Sequence, residues 1–299
     1  MNANRLSGLV TVSVLLSVLV GCAAPATPTV SAPAAQKTAA PAAPPAPSAT
    51  LLPTRVPTLA PAAPAPASRD ATITLTWWGQ STFVIKMNTG LNVLLDPTSS
   101  GTGYNIPTQT GIDLVTVSHE HSDHNAVSLA FGSPLVLKGL AGGDWAKIDQ
   151  TVKGVRVRTV GVYHDGAQGG QRGKNAIFIF DVDGLRVAHL GDLGHTLSPE
   201  QVKDIGPVDV ILIPVGGFYT IDGKTATEVV NQLNPKVVVP MHVKTPDLSP
   251  SLAGVLAPVD DFIKAMGDQA TVTQAGQTIT VEKSKLPAGR MIMVLKYKS

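Results

Sequence analysis

From residue 70 onward, short apolar runs rich in Val, Ile, Leu and Thr are punctuated by Gly, Pro and Asp. Runs of this kind over 72–76, 83–87 and 91–95 predict three strands joined by tight turns, an antiparallel meander. Further runs predict strands over 114–117, 135–137, 155–160, 176–180, 185–189, 208–213 and 237–239. Helical spacing enters only later. Ser198-Pro199-Glu200 supplies an N-cap with proline in the first turn and predicts a helix over 198–205. Val229, Val230 and Leu233 mark a second helix over 225–233, and 259–266 reads as a third. Strands over 271–273, 278–281 and 291–297 close the chain. This order predicts an α/β protein with two sheets face to face and helices outside. Periodicity alone does not choose that layout over another α/β one, and no internal repeat is visible.

The first 69 residues follow a different pattern. Arg5 precedes an apolar run over 9–20, the layout of a secretory signal. The run is shorter than the roughly 20 residues a membrane span needs, and Gly21-Cys22 ends it. Leu19-Val20-Gly21-Cys22 resembles the lipobox of bacterial lipoproteins, which implies cleavage before Cys22 and acylation of its thiol. Several acyl chains together hold a protein firmly to a bilayer. Residues 23–69 are dominated by Ala, Pro, Thr and Ser, too poor in apolar bulk to pack, and read as a semi-extended spacer. The expected organisation is therefore a signal over 1–22, a linker over 23–69 and a globular domain over 70–299, exported and lipid-anchored to the cell envelope.

Composition narrows the chemistry. Cys22 is the single cysteine among 299 residues, so an internal disulfide and a thiolate metal site are both excluded. Any metal must be held by histidines and carboxylates. The formal charge is +2, and setting aside Arg5, Lys37, Arg55 and Arg69 leaves 19 basic against 21 acidic residues, a net −2. That is no electrostatic footprint for nucleic acid, so the expected partner is a small molecule. About 230 residues remain in the globular part, enough to bury a core without a staple.

The segment Val117-Ser118-His119-Glu120-His121-Ser122-Asp123-His124 places three imidazoles and Asp123 directly after a predicted buried strand. Buried His and Asp cost several kcal/mol unless paired or bound to a cation. The remaining histidines, at 164, 189, 195 and 242, also stand in or at the ends of strand runs. Loops at one edge of a sandwich are a natural place to assemble a site.

His-x-His-x-Asp-His followed by a later His, an Asp and a final His resembles the metallo-β-lactamase superfamily. The likeness extends to Trp78-Gly79-Gln80-Ser81-Thr82, Leu94-Leu95-Asp96-Pro97, Ala188-His189-Leu190-Gly191-Asp192-Leu193-Gly194-His195 and Pro214-Val215-Gly216-Gly217. The compact branch that includes ascorbate-6-phosphate lactonase is the most similar in layout. The resemblance implies a four-layer αββα sandwich. It further implies one metal on His119, His121 and His164, a second on Asp123, His124 and His242, and Asp192 bridging them, with Asp123 and Asp192 as the candidate catalytic carboxylates. Two such cations share a hydroxide and clamp the oxygens of a reacting group. Nitrogen and oxygen donors suit zinc and also accommodate manganese or iron.

Asp96 is expected to orient ligands rather than bind metal. His189, inside a strand run, reads as a structural histidine. His195 stands close after Asp192, either supporting the ligands or facing substrate. Loops over 99–111 and 165–173 are expected to flank the site. The turn over 216–219 is either an ordinary turn or a source of a backbone donor or a hydroxyl, and Lys174 and Lys244 read as either anion contacts or solvated surface lysines. The implied function is hydrolysis of a small ester, lactone or phosphoester. Asp192 stands where many zinc β-lactamases have Cys, which counts against a β-lactam. The alternatives are a mononuclear iron oxygenase of the same fold and a non-catalytic lipoprotein that captures a ligand.

Overall fold

The computed structural model describes residues 70–298. The expected signal, Cys22 and the linker lie outside the described residues. The first half of the domain is β1 (Thr72–Trp77), β2 (Phe83–Met87), β3 (Asn92–Leu95), β4 (Leu114–Val117), β5 (Leu135–Lys138), the hairpin β6 (Leu140–Ala141) and β7 (Asp144–Trp145), β8 (Asp149–Val152), β9 (Val155–Tyr163), β10 (Lys174–Val182) and β11 (Leu185–His189). The second half is α1 (Pro199–Ile205), β12 (Val210–Pro214), α2 (Gly223–Leu233), β13 (Val237–Met241), α3 (Pro250–Ala253), α4 (Val259–Met266), β14 (Thr271–Gln274), β15 (Thr278–Glu282) and β16 (Met291–Val294).

Two large sheets result. One has the order β15-β1-β2-β3-β4-β5, the other β14-β16-β13-β12-β11-β10-β9-β8. The predicted opening meander is present: β1 pairs antiparallel with β2, and β2 with β3. The register of β1 explains its place. Ile73, Leu75 and Trp77 are buried while Thr72, Thr74 and Thr76 on the other face are half-buried, the two-residue period of a strand with one face in a core. Strands β12 and β13 are buried at every position and pair in parallel, as expected for strands covered on both faces.

Ile73, Phe83, Ile85 and Leu95 of the first sheet share one core with Val157, Phe178 and Phe180 of the second. The amphipathic helix α2 adds Ala226, Val229, Val230 and Leu233 to that core. The result is a mixed α/β sandwich, as the order of elements predicts. The outer face of the first sheet carries a smaller cluster of Val84, Leu94, Ile112, Val115, Val117 and Ala130, packed beneath a single 3₁₀ turn, Val127–Leu129. Among the described residues, the fourth layer over this cluster is that short turn rather than a long helix.

Helix α1 starts as predicted, with a capping box in which the Gln201 N–H donates to Ser198 Oγ at 3.2 Å and the Ser198 N–H donates to Gln201 Oε1 at 2.9 Å. Helix α2 starts two residues earlier than predicted because Asp222 caps it, its Oδ1 accepting the Thr225 N–H at 2.8 Å. Strands β9 and β10 run longer than their apolar centres suggest, since their pairing continues out to Tyr163 and Lys174. The closing strand stops at Val294 rather than Tyr297, whose hydroxyl instead donates to Asn105 O at 2.9 Å.

Candidate metal centre

The sheet topology delivers the chemistry to one edge. His119 to His124 follow the end of β4, His164 follows β9, Asp192 follows β11 and His242 follows β13. Gln80 and Ser81 lie in the turn between β1 and β2, and Asp96 directly follows β3. The structure brings together all seven predicted ligands. They form two groups, His119 with His121 and His164, and Asp123 with His124, Asp192 and His242, each with donor atoms within 4.8 Å of one another. In the first group His119 Nε2 is 3.1 Å from His121 Nδ1. Asp192 Oδ2 joins the groups: it lies 3.2 Å from His164 Nε2, 3.2 Å from His124 Nε2 and 3.4 Å from His242 Nε2.

Supporting contacts fix these donors. Asp96 is fully buried and its Oδ1 accepts the Ser118 N–H at 2.7 Å, while its Oδ2 accepts the Ser118 hydroxyl and the His124 Nδ1–H at 2.9 Å. That last bond leaves His124 Nε2 facing the carboxylates of Asp192 and of Asp123, the latter at 3.5 Å. His124 Nε2 is buried without a hydrogen-bond partner among the described residues. Lone pairs converging from an imidazole and two carboxylates require a positive species between them, a proton or a metal cation. The donor set therefore fits divalent cations.

Two glycines allow the loops to close. A Cβ on Gly194 would sit 2.3 Å from the His164 carbonyl carbon, and one on Gly216 2.1 Å from the His242 carbonyl oxygen. Side chains at either position would push a ligand-bearing backbone away.

The electrostatics point the same way. Burial pushes the Asp192 carboxyl up, but His124 and His242 outweigh it and hold it well below the ordinary carboxylate range. Asp123 is likewise raised by burial yet held low overall, chiefly by His124. Burial lowers His124, and the two carboxylates overcome it and raise the imidazole well above its usual value. His242 is also raised, with Asp192 outweighing burial. His119 goes the other way, pushed well down by burial and by neighbouring His124. His121 is lowered too, again chiefly by burial, so these two offer neutral nitrogens, while the second group is a negative cage that holds protons until a cation displaces them.

Other predicted residues separate cleanly. His189 is fully buried and donates from Nε2 to Ser81 O at 2.9 Å, a structural role. His195 faces backbone rather than substrate: its Nε2 accepts the Tyr163 N–H at 3.0 Å and its Nδ1 donates to Thr196 O at 2.6 Å. It thereby clamps the strand end that carries His164. Of the two readings open for Lys174, the structure shows the surface lysine, paired with Asp144 at 2.9 Å. Lys244 is exposed and does not line the site cavity.

The cavity, about 440 Å³, is lined by His121, Asp123, His164, Asp192 and His242. Ser99, Gly101 and Thr102 from the first predicted flanking loop also line it, as do Arg172 from the second and Tyr219 from the 216–219 turn. In that turn the Gly217 N–H donates to Ile221 O and the Tyr219 N–H to Gly217 O, and Tyr219 is the turn residue that lines the cavity. Sequence reasoning missed Gln80, whose Nε2 is 2.8 Å from His242 Nε2 and 3.1 Å from Asp123 Oδ2. It also missed Ser118, Arg172, and Ser251 and Leu252 of α3, which close one wall.

Residues 74–242 match the Beta-lactamase superfamily domain. A UPF0173 metal-dependent hydrolase from Pyrococcus abyssi is 31% identical over 180 residues, covering 54% of this chain and 77% of that protein. Another from Carboxydothermus hydrogenoformans is 27% identical over 228 residues, covering 69% of this chain and 99% of its own. A crystal structure from Thermotoga maritima, assigned to the Zn-dependent hydrolases of the metallo-β-lactamase superfamily, is 37% identical with a TM-score of 0.58, and the match covers 75% of this chain and 100% of that one. Fold and site together define a metallo-β-lactamase superfamily protein. Within that superfamily, the chain belongs to the UPF0173 metal-dependent hydrolase family.

Proposed function

We propose that this protein hydrolyses a small ester, lactone or phosphoester with two divalent cations, zinc foremost. His119, His121 and His164 would hold one cation; Asp123, His124 and His242 the other; Asp192 would serve both. The observation that carries this reading is the position of Asp192 Oδ2, within 3.4 Å of a ring nitrogen of His164, His124 and His242, between two complete donor groups. When bound, such cations supply Lewis acidity and a water acidified to near neutrality. The residues of the chain supply the rest. Asp96 keeps the His124 proton on Nδ1 and so keeps Nε2 free to bind. His195 holds the Tyr163 backbone, and with it the start of the loop that aims His164. The buried walls around Asp192 and His242 exclude bulk water, which strengthens every charge contact within. The lactone arm of the proposal follows the likeness of residues 78–82 and 188–195 to compact lactonase-type members.

The purified full-length chain, tested by elemental analysis alongside a panel of lactones, thioesters, phosphodiesters and β-lactams, decides the matter. About two zinc or manganese ions per chain, with turnover abolished by His121→Ala, is the expected result. One iron per chain, or turnover unchanged by His121→Ala, would overturn it. The same reading carries attachment to the cell envelope through an acylated Cys22, supported by the lipobox-like Leu19-Val20-Gly21-Cys22.

A further inference from the structure

Arg172 is the one Lys or Arg side chain lining the metal-centre cavity among the described residues. Its position is built rather than incidental. Asp165, buried beside His164, accepts four backbone N–H groups of the same loop: Ala167 at 2.8 Å and Gly169 at 2.9 Å on Oδ1, Gln171 at 3.0 Å and Arg172 at 2.7 Å on Oδ2. One carboxylate thus folds the loop into a fixed crown with Arg172 on its inner side. The guanidinium carbon lies 5.7 Å from the centre of the Tyr219 ring, which also lines the cavity. Such a stack orients an arginine while leaving its in-plane donors free.

Those donors have little else to bind. Among the described residues no carboxylate lies within salt-bridge distance of Arg172, whereas Arg156 and Arg186 each have one. Its single side-chain hydrogen bond runs from one terminal nitrogen to Gln171 Oε1 at 3.4 Å. A half-buried guanidinium held over an aromatic ring, facing a small-molecule cavity and lacking an anion, is a site for one.

We infer that Arg172, seated on Tyr219, binds an anionic oxyacid group of the substrate, a carboxylate or a phosphate, placed away from the bond that is cleaved. This rests on the hydrolase reading of the same cavity. With two divalent cations bound, Asp123 and Asp192 neutralise only half of the added charge, so the cavity would be positive throughout and Arg172 would extend that field towards the rim. The cavity volume of about 440 Å³ limits the occupant to a small molecule. The anionic group and the scissile bond would thus be read by different parts of one pocket. Arg172 is accordingly a residue that sets specificity and leaves the chemical step to the metal centre.

The test uses the zinc-loaded full-length chain and three rigid phenyl esters, of benzoate, 4-carboxybenzoate and 4-phosphonobenzoate. The matching anilides serve as binding probes, titrated calorimetrically into the metal-free chain. The inference expects the charged esters to have KM values at least about tenfold lower than the neutral one. Arg172→Gln should erase that advantage while changing kcat by less than about threefold and leaving the benzoate ester unaffected, and Arg172→Lys should retain part of it. A preference for one charged ester over the other identifies carboxylate or phosphate as the natural group. Equal losses on all three esters, or no change in Arg172→Gln, would overturn the inference. The anilides separate the two readings: charge-selective binding lost in Arg172→Gln, with no turnover of these esters or of the lactone, thioester and phosphodiester panel, upholds the anion site and sinks the hydrolase, and turnover without charge preference does the reverse.

Discussion

His124 Nδ1 sits 2.9 Å from Asp96 Oδ2, and this contact decides which nitrogen of His124 faces the metal centre. An amide at position 96 would present a donor where a carboxylate accepts. Asp96→Asn is therefore expected to move the His124 proton to Nε2 and weaken zinc binding by about 10- to 100-fold. Competition against a calibrated chelator measures this, and unchanged affinity would show that the tautomer is set elsewhere. The Ser118 hydroxyl, which donates to Oδ2, would lose its acceptor as well, at a cost of roughly 1–3 kcal/mol of stability.

Metal binding is expected to release protons. His124 and His242 are raised by Asp192 and Asp123 despite burial, so in the metal-free chain they hold their protons to higher pH than a free imidazole does, and a cation must displace them. Metal affinity should accordingly rise as pH rises through neutrality and level off once both histidines are neutral without metal. Titrating zinc in buffers of differing ionisation enthalpy counts the protons, and a pH-independent affinity with no release would contradict the charge assignment.

Tyr104 offers a test outside the donor set. Burial pushes its phenol up to about 12, with Thr245 Oγ1 2.8 Å from the hydroxyl. The native state keeps this proton after the unfolded chain has lost it, so the contribution is complete below pH 10 and disappears as pH rises towards 12. Stability should fall by about 1.4 kcal/mol per pH unit across that window. Tyr104→Phe should flatten this part of the slope, at a cost of about 1 kcal/mol at neutral pH for the lost hydrogen bond. Urea midpoints between pH 9 and 12 give the answer.

Much of the metal centre was legible because four of its residues lie within a single stretch, His119 to His124, after an obvious strand. Asp192 and His242 became legible through the ordered resemblance, since nothing in their local pattern marks them. Arg172 was not legible. A lone arginine in a glycine-bearing loop reads as solvated, and its aim is set by Asp165 gathering four amide groups, an interaction with no periodicity. The hairpin β6–β7 and strand β8 escaped for a related reason: they are short and mostly exposed, so their sequences lack the apolar alternation of the buried strands.

Gly194→Ala is expected to destabilise the protein by about 1–3 kcal/mol, the usual cost of overpacking, because the new methyl would overlap the His164 backbone. Metal content should fall with it, since His164 would be displaced. Thermal unfolding together with elemental analysis checks both effects, and full metal content in the variant would show that the loop yields without moving His164.

Cys22→Ala, expressed as the full chain, is expected to move the protein from the membrane fraction to the soluble fraction, because no acyl group can then be attached. Fractionation followed by immunodetection reads the outcome. Retention in the membrane would assign the attachment to another part of the chain.

Each donor group draws on both sheets. His119 and His121 leave the six-stranded sheet and meet His164 of the eight-stranded one, while Asp123 and His124 meet Asp192 and His242 in the same manner. A chain whose one cysteine lies outside the domain has no covalent rivet between its layers. Coordination would take that place, so the ions that equip the site for chemistry would also rivet the two halves of the sandwich together, and stripping them would loosen the fold and the active centre in a single event.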